Sequence, residues 1–348
     1  VGYALMMLVW SIASAAHALA STVLGFGICR FFLGLGEGGN FPAAIKTTAE
    51  WFPQKERSFA TGIFNAGTNL GVIAAALLVP WIDIHYGWHA VFVFTGGLGL
   101  VWLAWWWISY QPPERHPRLS SGEYAYIRAG QVADDVEANE IAPSWRVLLT
   151  RRQTWAFSIA KFLVDPVWWF YLYWLPKFLE HRYHVNLTHI GLALITVYLV
   201  SDIGSVAGGW MPAFLVRRGF TATRARLTPM LIASLCVLPV MFAGYARYEW
   251  AAVGVVSLAA AAHQAFMANL FTTSSDMFPA SAVASVVGLG GMAGAIGGVV
   301  MAITAGQVLQ WTGSYVSLFI YAGVAYLLAL AAMLILAPGL RRVRVIVG

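Results

Sequence analysis

The chain has 348 residues, of which 59% are hydrophobic and only 10% are charged, and its formal net charge is +6. Soluble domains are about 25% charged, so this composition excludes an ordinary soluble protein and predicts an integral membrane protein. The positive charge does not indicate nucleic-acid binding, because the basic residues lie almost entirely between apolar runs. Cys29 and Cys236 both lie within apolar runs, which predicts neither a disulfide framework nor a zinc site.

Ten apolar runs are long enough to cross a bilayer, which takes about 20 helical residues. In chain order the predicted spans are residues 2–19, 22–46, 58–82, 89–109, 154–178, 188–213, 226–245, 250–272, 282–306 and 314–337. A polar, arginine-rich stretch over 110–153 separates four spans from six and predicts a loop with a short amphipathic helix over 119–133. The predicted fold class is therefore an all-α integral membrane bundle.

Lysine and arginine are distributed unequally between alternating loops. One set of loops, which includes 110–153 and the C-terminal end, carries most of them, whereas the other set carries Lys177, Arg182 and Arg247. An excess of basic residues marks cytoplasmic loops. The sequence therefore predicts that the 110–153 loop and both termini are cytoplasmic.

The order of the spans indicates two helical bundles. Many transporters are built from repeats, and two sets of six spans around a cytoplasmic loop are common. We therefore expect 1–109 to form an incomplete N-terminal bundle, 110–153 a cytoplasmic linker and 154–348 a six-helix C-terminal bundle. On this interpretation two spans precede Val1, and the chain holds spans three to twelve of an expected twelve.

The stretch from Arg30 to Arg57 is the most informative motif. Arg30 and Glu37 lie within a predicted span, where an unpaired ion costs from about 3 to over 10 kcal/mol. They are two helical turns apart, so they share one face and lie about 10 Å apart along the axis. Ions in this position usually face a water-filled cavity or a partner, which predicts either a transport pathway or a structural ion pair.

Lys161 and Asp165 form a second pair of ionisable residues within a predicted span. Their spacing of four places them on one helix face, and Pro166 removes a backbone hydrogen bond there. Asp165 either faces a cavity lined by this irregular helix or neutralises Lys161. In the aromatic run that follows, Trp168 and Tyr171 either line a cavity or pack against other helices.

Two further spans carry polar side chains at helical spacing. Asn65, Thr68 and Asn69 form one stripe, whose amides and hydroxyl can donate and accept hydrogen bonds. His263 and Gln264 lie in the span over 250–272. Each of these residues either lines a substrate path or bonds a neighbouring helix. The glycines of the span over 282–306 predict close helix packing.

Several motifs together resemble the major facilitator superfamily, specifically its anion:cation symporter branch and the bacterial hexuronate transporters within it. The motifs are GLGEGGNFP (34–42), EWFP (50–53) with Glu56-Arg57, GIFNAG (62–67), KFLVDPVWWFYLYWLPKFL (161–179), HQA (263–265) and SSD (274–276). The resemblance implies a multi-pass protein of the bacterial inner membrane that is monomeric and has no cofactor. It implies proton-coupled import of an anionic sugar acid, such as glucuronate or galacturonate, by alternating access.

The resemblance and the residue chemistry together give three sets of candidate residues. The proton-coupling candidates are Glu37 and Asp165. The substrate-binding candidates are Arg30, Asn65, Thr68, Asn69, Lys161, Trp168, Tyr171, His263 and Gln264. The cytoplasmic-gate candidates are Glu56, Arg57, Arg217 and Arg218, which alternatively only determine topology.

Other classes of function remain as alternatives. The substrate could be another organic anion: an aldonate, an aldarate or an aromatic acid. A transporter-like sensor would bind the ligand without moving it. An enzyme is not expected, because the sequence shows no metal-ligand cluster and no nucleophile with a base at suitable spacing.

Overall fold

The computed structural model describes residues 2–128, 144–185 and 187–343, and all regular structure in these ranges is helical. The helices are α1 Gly2–Ala16, α2 Val23–Glu37, α3 Asn40–Trp51, α4 Arg57–Tyr86, α5 Trp88–Ser109, α6 Ser121–Arg128, α7 Trp145–Leu149, α8 Arg152–Tyr183, α9 Leu187–Arg217, α10 Ala222–Val237, α11 Glu249–Met277, α12 Ala280–Thr312 and α13 Val316–Leu336. Short 3₁₀ segments are His17–Leu19, Pro113–Arg115, Leu238–Tyr245 and Pro338–Leu340. The all-helical fold class is therefore confirmed for the described ranges.

Within the described residues, eight segments are long and apolar enough to cross a membrane, so the predicted count of ten spans is not confirmed. The eight are Gly2–Leu19, Arg57–Tyr86, Trp88–Ser109, Ile190–Arg217, Ala222–Tyr245, Glu249–Met277, Ser281–Thr312 and Val316–Leu336. The predicted span over 154–178 lies in α8, whose 32 residues are long enough to span. Its charged, tryptophan and tyrosine residues reduce its hydropathy.

The predicted span over 22–46 is divided into α2 and α3, which differs from the single helix expected. Gly38 and Gly39 lie between the two helices, and the amide of Gly39 bonds to the carbonyl of Gly36, 3.3 Å away. Glycine is a poor helix former, and Pro42 lacks the N–H that would bond the carbonyl of Gly38. For these reasons the regular hydrogen bonding of the helix is interrupted immediately after Glu37.

The predicted amphipathic helix over 119–133 corresponds in part to α6, which ends at Arg128. The remainder of that prediction lies outside the described residues. The α3–α4 turn, α6 and α7 lie at one end of the bundle, which we call the loop end.

The helix α11 lies in the centre of the bundle. It packs against α4, α9 and α10. In the stretch of α11 long enough to cross a membrane, 67% is buried inside the protein, compared with 6% in that of α5. The face of α5 away from α1 instead exposes large apolar side chains, including Val101 and Trp105. Such a surface suits contact with lipid tails rather than water.

Close helix contacts depend on glycine at several interfaces, of which two bear on the site. A Cβ at Gly62 of α4 would lie 2.5 Å from the carbonyl oxygen of Ser205 of α9. At Gly290, Gly294, Gly297 or Gly298 of α12 a Cβ would collide with α8, which agrees with the predicted close packing there. Small residues let helix backbones approach closely in this way.

We expect Gly62→Ala to destabilise the protein by about 1–3 kcal/mol, because the added methyl group meets backbone atoms of α9 that cannot rotate away. Gly67→Ala is the matched control on the same helix, since a Cβ there meets nothing within 4 Å. The measurement is the temperature at which the detergent-solubilised protein loses its monodisperse peak. Equal temperatures for the two variants would contradict the assigned α4–α9 contact.

Candidate functional site

A network of polar side chains joins α4 and the α3–α4 turn to α10 and α11 at the loop end. Asp276, at the end of α11, accepts hydrogen bonds from Nε of Arg226 (2.8 Å) and from Nε2 of Gln54 (3.2 Å). The same arginine donates to the hydroxyl of Ser58. Together with Arg57, these residues form what we call the loop-end network.

Arg57 is the most enclosed cation of the loop-end network, with only 5% of its surface exposed. Its guanidinium donates to the carbonyl oxygens of Ala49 (2.9 Å), Phe52 (3.2 Å) and, on α11, Ser275 (3.4 Å). Because its N–H groups bind backbone oxygens at the end of α3, in the α3–α4 turn and in α11, Arg57 fixes this turn against the end of α11.

The other predicted gate residues occupy different surroundings. Glu56 faces away from α11 and accepts a hydrogen bond from the hydroxyl of Tyr126 in α6. Arg217 and Arg218 are exposed at the end of α9, where Arg218 lies over the ring of Phe214. Among the four predicted gate residues, only Arg57 belongs to the loop-end network.

The sequence-based prediction omitted Arg226, Asp276, Gln54 and Ser58. One signal was present, since an aspartate closing a 29-residue apolar helix needs a partner. That partner, Arg226, lies 50 residues earlier on α10, and no local spacing indicates the pairing.

A second group of polar side chains crosses the middle of the bundle between α4, α9 and α11. Asn65 is buried, and its amide donates to Gln264 Oε1 (2.8 Å) and to Ser205 Oγ (3.4 Å). Ser205 Oγ in turn donates to the carbonyl of Gly62 (2.8 Å). The structure therefore brings the predicted residues Asn65 and Gln264 together.

The remaining members of the predicted stripe on α4 are placed differently. Thr68 is exposed, and its hydroxyl donates to the carbonyl of Asn65 in its own helix, 2.7 Å away. The side chain of Asn69 lies outside the described residues.

The predicted pair on α8 is present as a buried ion pair. Lys161 Nζ lies 2.7 Å from Asp165 Oδ2, and both side chains are largely enclosed. The same Nζ lies 4.5 Å from the ring centroid of Phe271, within cation–π range. The carboxylate packs against α12, where Gly294 leaves the space it occupies.

Aromatic and imidazole rings surround one side of this pair. The ring of Trp168 stacks on His263 with centroids 5.0 Å apart, and His263 Nδ1 lies 2.6 Å from the hydroxyl of Tyr326. Tyr171 is buried, and its hydroxyl has no hydrogen-bond partner within the described ranges. A buried polar atom of this kind is available for a ligand.

Arg30 and Glu37 do not join these groups. Both are exposed on α2, close enough to each other for an electrostatic interaction. Their predicted roles in substrate binding and proton coupling stay predictions.

A cavity of about 300 Å³ lies between α8 and α12, but neither Lys161 nor Asp165 lines it. Its walls are almost entirely apolar and include Trp169, Tyr173 and Met301. These walls offer too few polar groups to bind a sugar acid. In the described part of the chain, no group of three or more histidine, cysteine, aspartate or glutamate residues is arranged to hold a metal ion.

Long apolar helices whose buried polar side chains bond between helices are typical of membrane transport proteins. The comparison with known families agrees. The chain belongs to the Major Facilitator Superfamily, whose family model matches residues 2–302.

Two curated relatives and one solved structure are also similar to this chain. A hexuronate transporter of Escherichia coli strain K12 is 30% identical over 314 residues, covering 90% of this chain and 73% of that protein. A galacturonate transporter of Dickeya chrysanthemi is 36% identical over 212 residues, covering 61% of each. The proton:xylose symporter XylE, bound to 6-bromo-6-deoxy-D-glucose, matches with a TM-score of 0.73 at 16% identity, covering 95% of this chain and 78% of that one.

We expect Asn65→Ala to lower stability by about 1–3 kcal/mol, because it leaves the buried oxygen of Gln264 without its donor. Thr68→Ala on the same helix should change stability by less than about 0.5 kcal/mol, since its exposed hydroxyl bonds only its own helix. The stability of both variants is measured as the temperature at which the detergent-solubilised protein loses its monodisperse peak. If Asn65→Ala is as stable as Thr68→Ala, the hydrogen bond between Asn65 of α4 and Gln264 of α11 does not contribute to stability.

Proposed function

We propose that this protein imports an anionic sugar acid, a hexuronate, together with protons by alternating access. The observation that carries the proposal is the buried Lys161–Asp165 pair of α8, set beside Trp168, Tyr171 and His263. The names of the two curated relatives, hexuronate and galacturonate transporter, supply the substrate class.

Lys161 is the proposed binding group for the carboxylate of the substrate. It is a buried cation whose described ionic partner is one carboxylate on its own helix, and a substrate carboxylate can replace that partner. The free hydroxyl of Tyr171 and the indole of Trp168 then suit the hydroxyls and the apolar face of a sugar ring. Asn65 and Gln264 offer amides to further hydroxyls when the contact between their helices opens.

Asp165 is proposed to couple this binding to a proton. While it is ionised, it neutralises Lys161 and competes with the substrate carboxylate. A proton on Asp165 removes that competition, so proton and anion would bind together. Glu37 is proposed as the second coupling group, because it ends α2 beside the glycine interruption and interacts electrostatically with Arg30.

The loop-end network is proposed as the cytoplasmic gate between two helical bundles, residues 1–109 and 154–348, joined by the 110–153 linker. Arg57, Gln54 and Ser58 bind α10 and α11 across this boundary, which would keep the cytoplasmic side closed. Release of substrate then requires these bonds to break. The proposed setting is the bacterial inner membrane, with both termini cytoplasmic and the protein monomeric.

The proposal is tested by reconstituting the full-length protein in proteoliposomes and following uptake of labelled glucuronate with and without an inward proton gradient. We expect accumulation that depends on the gradient, is collapsed by a protonophore and is reduced by unlabelled galacturonate. Absence of uptake would overturn the hexuronate assignment. The same vesicles would then be screened with aldonates, aldarates and aromatic acids, and binding without accumulation would identify a sensor.

For Glu37→Gln we expect gradient-driven accumulation to be lost while exchange of labelled for unlabelled substrate continues. The amide keeps the shape of the side chain but cannot release a proton, whereas exchange needs no net proton movement. Glu180→Gln, at an exposed carboxylate near the end of α8, is the matched control and should accumulate substrate normally. Accumulation that persists in Glu37→Gln would show that coupling does not use this residue.

A further inference from the structure

A second cavity lies at the loop end, away from the proposed transport path. It has a volume of about 510 Å³, within the range of small-molecule sites, and lies between the ends of α3 and α5, the α3–α4 turn and α6. Its lining residues are Thr47, Trp51, Phe52, Pro53, Glu56, Ser109, Tyr110, His116, Glu123, Tyr126 and Ile127. The proposed transport mechanism assigns no ligand to this cavity.

Aromatic rings form much of the cavity wall, and several of them are held in place. The rings of Trp51 and His116 meet edge to face with centroids 5.2 Å apart. Tyr110 stacks on Trp106 at 4.2 Å and donates its hydroxyl to Glu50 at 2.8 Å. Burial and the bond to Glu50 raise the pKa of Tyr110, so its ring stays neutral and presents an electron-rich face.

The charges that line the cavity are negative. Among the described residues that line the cavity, Glu56 and Glu123 carry charge and none is a lysine or an arginine. His116 adds a buried Nδ1 that has no hydrogen-bond partner in the described ranges. Nearby, the ammonium group of Lys55 lies 4.5 Å from the ring centroid of Tyr126, so one face of that ring is already taken by a cation of the protein itself, and Trp51 and Tyr110 are the rings left for a ligand.

We propose that this cavity binds an organic ammonium cation. Cations are attracted to the faces of tryptophan and tyrosine, and ligands with quaternary ammonium groups are bound by cages of such rings. Carboxylates at the rim supply the opposite charge, and the unpaired His116 nitrogen can accept a hydrogen bond. An anionic ligand such as a sugar acid would meet two carboxylates there and be repelled.

The two carboxylates also have a local role, because Glu56 precedes α4 and Glu123 lies in the first turn of α6. Negative charge stabilises helix N-termini. That role requires neither the ring walls nor the cavity between them. The ammonium group could belong to a free amine or to a lipid headgroup, since the cavity lies where α3 and α5 end.

The test is equilibrium dialysis of radiolabelled choline against the whole protein in detergent. We expect saturable binding at one site per chain and no competition by 3,3-dimethyl-1-butanol, the uncharged analogue of choline. Glu123→Gln should weaken binding about tenfold by removing one nearby charge, and Trp51→Leu should weaken it by a similar factor. Glu180→Gln, which makes the same charge change at the far end of α8, should bind choline normally.

Nanodiscs distinguish the two sources of the ligand. If phosphatidylcholine discs reduce choline binding relative to phosphatidylglycerol discs, the site takes a lipid headgroup, and equal binding identifies a free amine. Absence of saturable binding, displacement by the uncharged analogue or equal affinity in Glu123→Gln would each overturn the proposal. None of these outcomes depends on sugar-acid transport.

Discussion

The constraint that shapes this molecule is that polar groups within a bilayer must find partners inside the protein. Helices satisfy the backbone, but each buried ion or amide needs a side-chain or carbonyl partner. Asn65 meets Gln264, Lys161 meets Asp165, and Arg57 meets carbonyl oxygens on two sides. The bonds of Asn65 to Gln264 and of Arg57 to Ser275 join α4 to α11, and α11 is central because it contacts α4, α9 and α10.

Local patterns in the sequence predicted those features that depend on neighbours along the chain. Most spans, the Lys161–Asp165 pair and the glycine face of α12 were predicted correctly because each follows from spacing within one helix. The bond between Asn65 and Gln264 joins residues 199 positions apart, and Asp276 finds Arg226 on another helix. Such pairings depend on which helices pack against each other, and the spacing of residues within one helix does not specify that. The interruption at Gly38 and Gly39 was missed because an apolar run continues through it.

Family membership and the candidate site answer different questions about this protein. Similarity to XylE at 16% identity concerns the fold alone, while the substrate class depends on side chains that the fold does not determine. The buried cation on α8, its competing carboxylate and the free hydroxyl of Tyr171 give that site its chemical character. Arg30 and Glu37 lie apart from it, so coupling through Glu37 would have to act across the bundle.

The loop-end network has an asymmetry with a kinetic consequence. Its ion pair, Arg226–Asp276, lies between α10 and α11, whereas its contacts to the α3–α4 turn and α4 each join a charged group to a neutral one or two neutral groups. Separating the two sides moves Arg57 away from one attracting charge, Asp276, and from two repelling charges, Arg226 and Arg342, and otherwise breaks hydrogen bonds. Dissolved salt screens separated charges strongly but affects such bonds little. Because the attraction and the repulsion on Arg57 oppose each other, the rate at which these helices separate should depend only weakly on ionic strength.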